Sequence, residues 1–476
     1  MSRLIIVSNR VAPISEGGPA AGGLAVGVYD ALKETGGMWF GWSGDVLSAP
    51  PQIQLEERGP VTFATIGLLR RDYDQYYKGF SNETLWPAFH YRADLVQYDR
   101  HDFEGYCRVN TWLAQQLVPL LRDDDVIWVH DYHLIPFAQA LRAEGVRNRI
   151  GFFLHIPFPA SQVLLAVPPH RALAEALCAF DLLGFQTKPD LRAFCDYIVN
   201  EAGGTVDRQP DGLTRIEAFG QTLCAGDYPI GVYPDEIAEL AKAGERGKPV
   251  RTLKATLHGR KVIMSVDRLD YSKGLVERFR AFERLLDHHT AARNHVSFVQ
   301  IAPPTRADLN AYQDIRLRLE AESGRINGRF AELDWTPIRY IHRQYERAVL
   351  AALFRASHVG YVTPLRDGMN LVAKEYVSAQ DPEDPGVLVL SSFAGAAQEL
   401  TGALIVNPFD IDGMADALAT ALAMPLAERV ARHRDMMEQL RENNVSVWRD
   451  RFMRDLTQVG TTRGTALPLA EAQEQA

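Results

Sequence analysis

Short apolar runs, most of them followed by a helical pattern, recur along the chain in two series. No other feature of the sequence restricts the fold as tightly. The first series is LIIVS (4–8), VIWVH (126–130), IGFFLH (150–155), LLGFQ (182–186) and YPIGV (228–232). The second is KVIMSVD (261–267), HVSFVQIA (295–302), VGYVTP (359–364), GVLVLS (386–391) and GALIVN (402–407). Continuous apolar runs of this length, separated by helices, read as strands buried on both faces, so each series predicts a parallel sheet covered by helices. The polar, basic, glycine-containing stretch 241–260 divides them. We therefore expect an α/β protein of two Rossmann-like, doubly wound parallel-sheet domains facing across a cleft. Their expected spans are 1–240 and 241–455, with a frayed tail at 456–476. A total of 476 residues, 46% of them apolar, is enough for two cores. Stretch 50–100, richer in aromatics and turns, is expected to be an excursion over the rim of the first domain.

A formal charge of −9 argues against a nucleic-acid partner and against a surface that rests on acidic lipid. Cys107, Cys178, Cys195 and Cys224 form no close-spaced pair, so free thiols in a reducing compartment are expected rather than disulfides or a zinc ribbon. The opening MSRLIIVSNR carries an apolar run too short for a signal-peptide core, and no run reaches the length of a membrane span. These features lead to the expectation of a cytoplasmic protein.

In doubly wound sheets, ligands bind beyond the carboxyl ends of the strands, and two such domains place the site between them. Cations stand at those ends: Arg10, Arg268 with Lys273, Arg306, and Arg366. Together they favour a phosphate-rich ligand. Gly22-Gly23 opens a helical pattern and would let an anion approach backbone N–H groups, although such a pair alone reads more readily as a flexible turn. In TPLRDGMNLVAKEY (363–376), Gly368 permits a tight turn, and Met369, Asn370 and Leu371 offer N–H groups at a helix start. Asp367 would be repelled by an anion and suits sugar hydroxyls. Glu375 lies one turn beyond Leu371 on the same side and could hold ribose hydroxyls, though alone it reads as a solvent-facing glutamate. HDYH (130–133) lacks the spacing of a helical metal pair, so a hydrogen-bonding edge for a sugar is expected there. Asp123-Asp124-Asp125 precedes its strand and lies at the wrong edge. In FDIDG (409–413) the first aspartate is too far from the strand end to be a phosphatase nucleophile.

The motifs SNRVAP, AGGLAVG, GWSG, YYKGFSNETLWPAFHY, WVHDYHL, GFFLHIPFP, DRLDYSKG, AYQDIR, TPLRDGMNLVAKEY and LSSFAGAAQEL together resemble trehalose-6-phosphate synthases, retaining glycosyltransferases of the GT-B fold, from about 4 to 455. The resemblance implies transfer of glucose from UDP-glucose to the anomeric hydroxyl of glucose 6-phosphate. It implies that Arg10, Tyr77, Trp86, Asp131 and Arg306 hold the acceptor. It implies that Gly22, Gly23, Arg268, Lys273, Tyr345, Asp367 and the run Met369, Asn370, Leu371, Val372, Ala373, Lys374 and Glu375 hold the donor. Trp86 and His155 flank the transferred sugar in that reading, and Arg268, Lys273, Asp131, His155, Asp367 and Trp86 form its catalytic set. No metal and no cofactor is expected, and since relatives of this kind are often tetramers or dimers, a homo-oligomer is expected. Three other readings of the residues stay open: another phosphorylated acceptor such as glycerol 3-phosphate, a pyridoxal-dependent phosphorylase, and a sugar-nucleotide sensor without turnover. The donor base, whether UDP, ADP or GDP, also stays open on the residues alone.

Overall fold

The computed structural model describes residues 2–11, 29, 32, 33, 36–306 and 308–459. Gly22, Gly23 and the tail from 460 lie outside the described residues. The first sheet is built from β1 (Leu4–Arg10), β2 (Gly37–Leu47), β3 (Gln54–Arg58), β4 (Val61–Leu69), β5 (Val126–His130), β6 (Arg149–Phe153), β7 (Leu182–Phe185), β8 (Thr205–Arg208), β9 (Thr214–Ala218) and β10 (Gln221–Asp227). Its order is β3-β4-β2-β1-β5-β6-β7-β10-β9-β8. The central run from β4 to β10 is parallel, with antiparallel strands only at the two edges. The second sheet contains β11 (Lys261–Val266), β12 (Val296–Ile301), β13 (Ile338–Ile341), β14 (Val359–Val362), β15 (Val387–Ser391) and β16 (Leu404–Val406). It is parallel throughout, in the order β13-β12-β11-β14-β15-β16.

Winding reverses between β1 and β5 in the first sheet and between β11 and β14 in the second. Crevices open at such switch points because successive connections leave to opposite faces. The segments that follow β1, β5, β11 and β14 are therefore the ones placed to bind.

Two parts of the sequence reading change. YPIGV is not a strand. The ladder ends where Tyr228 N–H donates to Phe185 O at 2.7 Å, and Pro229 has no N–H to continue it. The segment read as a rim excursion instead supplies β3 and β4, and β2 just before it, which extend the first sheet.

Helices near the boundaries expected at 240 and 455 pack across the lobes. Helix Pro234–Gly244 packs on helices Arg347–Arg355 and Leu371–Ala379 of the second lobe. The last helix, Val445–Gln458, returns to the first sheet. There Phe452 lies against Trp128 at 4.8 Å between centroids, and Tyr228 Oη donates to Asp455 at 2.8 Å. Gly151 and Gly184 admit that helix: a Cβ on either would stand 2.9 or 2.8 Å from the Phe452 ring. A returning helix of this kind leaves no mark on linear composition.

Candidate active site

At the second switch point, Asp267-Arg268 follow the end of β11. Asp267 is buried and accepts from Arg278 Nη1 at 2.7 Å, and Arg278 Nε donates to Thr363 Oγ1 at 3.1 Å beyond β14. That buried pair ties the two strand ends together and sets the origin of both following loops. One loop forms a short turn, Tyr271–Lys273, capped by Asp270, whose Oδ1 accepts from Ser272 N–H at 2.9 Å. The turn delivers Lys273 to the crevice, where its Nζ lies 2.5 Å from Asp367 Oδ2. The other loop carries Asp367 and Gly368. A Cβ on Gly368 would strike the carbonyl of His155 in the first lobe, so this glycine permits close approach of the lobes as well as the turn.

Asn370 gives the turn bonds that a glycine there could not make. It adopts the left-handed region at φ 69°, caps helix Leu371–Ala379 by accepting from Ala373 N–H at 3.2 Å, and donates from Nδ2 to Asp367 Oδ2 at 2.9 Å. Burial pushes the Asp367 carboxyl up, but Lys273 and Asn370 outweigh it and hold the carboxyl below its ordinary range. One Asp367 oxygen is thus committed to Lys273 and Asn370 rather than left for sugar hydroxyls.

These groups line a cavity of about 430 Å³ between the lobes, together with His155, Met369, Leu371, Val372 and Glu375. Burial raises Glu375, and Arg347 opposes the rise. Arg268 is exposed to the crevice, 5.8 Å from the Trp86 ring centroid. Two residues of the expected donor run do not reach the cavity. Ala373 is fully buried, with its N–H used in the cap. Lys374 is fully buried behind the wall, donating to Glu399 Oε2 at 2.6 Å and to Ile230 O at 2.8 Å. Tyr345 is half-buried outside the cavity lining, with the Arg343 guanidinium 5.7 Å from its ring.

The first lobe contributes Asp131, directly after β5 and at φ 77°. Its Oδ1 accepts from His155 N–H at 3.2 Å. Burial pushes the Asp131 carboxyl up to about 6, while the N–H groups of Tyr132 and His155 and the charges of Arg306 and Arg268 pull it down. Arg306 crosses from the second lobe. Its Nη1 donates to Tyr312 Oη at 2.6 Å, its Nη2 to Tyr132 Oη at 3.0 Å, and its guanidinium lies 4.0 Å from the Trp86 centroid. Asp270 stands 3.7 Å from it. Asp270 is held at about 2: burial alone would raise it, and Arg306, Lys273, His90 and Arg268 override that. Tyr77 belongs to an aromatic patch with Trp42, Tyr73 and His133. Arg10, exposed at the end of β1, sits 5.9 Å from the Trp42 ring.

The structure thus brings Arg268, Lys273, Asp367, His155 and the Met369–Val372 turn to one cavity, with Asp131, Trp86 and Arg306 beside it. Sequence reasoning missed Asp270, Tyr132 and Tyr312 around Arg306, and Arg347 on the cavity wall. Three of them left a signal as members of quoted motifs: Asp270 in DRLDYSKG, Tyr132 in WVHDYHL and Tyr312 in AYQDIR. The expected decoys stand apart: Asp125 pairs with Arg3 at 2.7 Å before β5, and Asp410 caps a helix. Among the described residues, all four cysteines are free thiols, no group of three or more His, Cys, Asp or Glu side chains is placed to hold a metal ion, and no helix is long and apolar enough to cross a membrane.

A family model described as glycosyltransferase family 20 matches residues 12–458. The chain is 54% identical to the trehalose-6-phosphate synthase of Enterobacter sp. (strain 638), over 96% of this chain and 95% of that one. It superimposes with TM-score 0.93 and 86% identity on an α,α-trehalose-phosphate synthase (UDP-forming) from Burkholderia xenovorans in complex with glucose 6-phosphate, covering 96% and 100% of the two chains. A trehalose-6-phosphate enzyme from E. coli bound with UDP-2-fluoro glucose gives TM-score 0.91 at 52% identity, covering 96% and 100%. The two lobes and their cleft are the GT-B architecture of these glycosyltransferases. Matched along nearly its whole length, the chain belongs to glycosyltransferase family 20.

Proposed function

We propose that this glycosyltransferase moves glucose from UDP-glucose to the anomeric hydroxyl of glucose 6-phosphate with retention, giving α,α-trehalose 6-phosphate and UDP. One observation carries the reading: Arg268 and Lys273 of one lobe line the same crevice as His155 of the other. Glycosyl transfer from a nucleotide sugar needs fixed cations where the diphosphate departs and a wall that excludes water around the sugar. The Arg268 and Lys273 side chains supply the charge, and the turn at Met369–Val372 supplies backbone donors. The donor run is read without the Ala373 and Lys374 side chains. Arg306, braced by Tyr132 and Tyr312 over Trp86, is the phosphate clamp for the acceptor. Asp131 and Tyr77 orient its hydroxyls, with Arg10 at the rim. Gly22, Gly23 and Tyr345 complete the donor site by resemblance.

In the step itself, the bond from C1 of glucose to the β-phosphate oxygen breaks and its electron pair stays on that oxygen. The acceptor hydroxyl oxygen bonds to C1 from the same face, and its proton passes to the departing phosphate oxygen. Asp367 is ion-paired to Lys273 and Asp131 is held by backbone N–H groups, which supports direct displacement over a carboxylate-bound intermediate. A cytoplasmic dimer or tetramer completes the reading, and sedimentation of the purified chain tests the assembly.

The test is UDP release measured over a matrix of UDP-, ADP- and GDP-glucose against glucose 6-phosphate and glycerol 3-phosphate. UDP release that requires glucose 6-phosphate, with a non-reducing product α-configured at both anomeric carbons, is expected. Release without acceptor, or equal use of glycerol 3-phosphate, overturns the reading.

A further inference from the structure

His130 ends β5 and His155 follows β6. Their rings meet, with His130 Nδ1 and His155 Nε2 3.0 Å apart. Burial lowers both, His155 to about 3 and His130 well below its ordinary range, so both rings are neutral at physiological pH. One neutral ring must donate and the other accept, and the direction decides what His155 offers the cavity it lines.

The surroundings of His130 settle the direction. Its Nε2 is buried and has no partner among the described residues. The rings packed on it include Trp128, at 4.5 Å between centroids, and Trp448, at 6.4 Å. Both indole Nε1–H groups are themselves buried donors without a partner. Were His155 to donate, His130 would carry its proton on Nε2, adding a third buried N–H with no acceptor. Orphaned buried N–H groups are the rarer defect. With the proton on Nδ1 instead, His130 Nε2 is an unprotonated acceptor, and an under-satisfied buried acceptor is the commoner and milder defect.

We infer that His130 is a positioning residue: it donates from Nδ1 to His155 Nε2, fixes His155 as the Nδ1–H tautomer, and so presents an N–H donor to an oxygen of the bound sugar nucleotide. This rests on the reading of the cleft as a sugar-nucleotide site. The donating tautomer suits a hydroxyl or phosphate oxygen; the reverse tautomer would present a lone pair and could accept only from a hydroxyl.

Multiple-bond ¹H–¹⁵N correlation spectra of the full-length, histidine-labelled protein read the tautomer directly, with His155 assigned by loss of its signals in His155→Gln. A single Nδ1–H form is expected in the unaltered chain, and an Nε2–H form overturns the inference whether or not the enzyme turns over. In His130→Leu the single tautomer is lost, and kcat falls about tenfold, the loss of one oriented neutral hydrogen bond, with the KM for glucose 6-phosphate unchanged. His130→Asn, whose amide can donate from the same place, recovers most of that loss. Equal loss in both variants with the His155 tautomer unaltered overturns the positioning role. Absence of UDP release from the unaltered protein would fail the functional reading and leave the tautomer result standing.

Discussion

Replacing Lys273 by Met keeps the aliphatic stem and removes one charge from a place where two effects separate. Lys273 Nζ lies 2.5 Å from Asp367 Oδ2, with side chains only 9% and 14% exposed. At an effective dielectric of about 20, a unit-charge pair at 4 Å is worth about 4 kcal/mol. In the proposed reading, the departing diphosphate would share that ammonium with Asp367, so its own part is smaller. Loss of one fixed donor to a developing oxyanion costs about 2.7–4 kcal/mol, or about 10²–10³ in turnover, and that is the expected loss in Lys273→Met. The substitution also strands a buried carboxylate. Breaking such a pair costs about 3–5 kcal/mol of stability, part of it recovered as Asp367, released from Lys273, rises and takes up a proton. Adding Asp367→Asn removes the stranded charge, so the double variant regains most of the Tm while turnover stays low. Steady-state UDP release and thermal melting of both variants test this. Turnover in Lys273→Met within about fivefold of the parent, or recovered together with the Tm in the double variant, would show that Lys273 serves only the fold.

Arg306→Ala is expected to raise the KM for glucose 6-phosphate by about tenfold or more with a smaller change in kcat, since a charged contact is worth about 1.5–3 kcal/mol; an unchanged KM sinks the acceptor assignment. Asp131 is lifted by burial from 3.8 to about 6, so above that pH the folded chain carries a carboxylate that the unfolded chain holds more readily. Asp131→Asn should therefore raise the Tm at pH 7.5, by the equivalent of at most about 3 kcal/mol, while lowering turnover; the gap should close as pH falls from about 6 to about 4, where the carboxyl is protonated in both states. A lower Tm at pH 7.5 would refute that account. Dialysis against EDTA is expected to leave most activity, because fixed cations already stand in the crevice; complete loss restored by Mg²⁺ would refute it.

What the sequence disclosed depended on whether a signal was local. VIWVH and VLVLS are buried at every position, so their apolar runs announce the strands. GMWFGWSGDVL (37–47) hides β2 behind glycines whose reason is tertiary: a Cβ on Gly41 would strike the Ser8 carbonyl on β1. YPIGV has strand composition but begins where the ladder stops. Arg268, Lys273 and Asp367 could be placed together from the sequence because they follow strand ends, and Glu375 because it shares a helix face with Leu371; all four line the cavity. Lys374 sits off that face, since about 100° per residue separates it from the stripe of Leu371, Val372 and Glu375. The cage around Arg306 was illegible because Tyr132, Asp270 and Tyr312 come from three separate segments and meet only when the lobes do.

The charges of the crevice explain how a chain of net −9 can hold a polyanion. Three cations crowded together would repel one another and loosen the lobes. Two of them are instead matched: Lys273 with Asp367, and Arg306 with Asp270. Arg268 stands exposed against Trp86, with no carboxylate paired to it within salt-bridge distance among the described residues. In the proposed reading, an arriving diphosphate would meet one unpaired cation and one shared. The shared cation is also the better placed to respond as negative charge grows on the leaving oxygen, since Asp367 keeps it fixed in the crevice and no reorganisation is needed at the moment of bond breaking. The carboxylates that temper the cations in the cleft are thus the same groups that hold them aimed, and the overall acidity of the chain is compatible with a local site for anions.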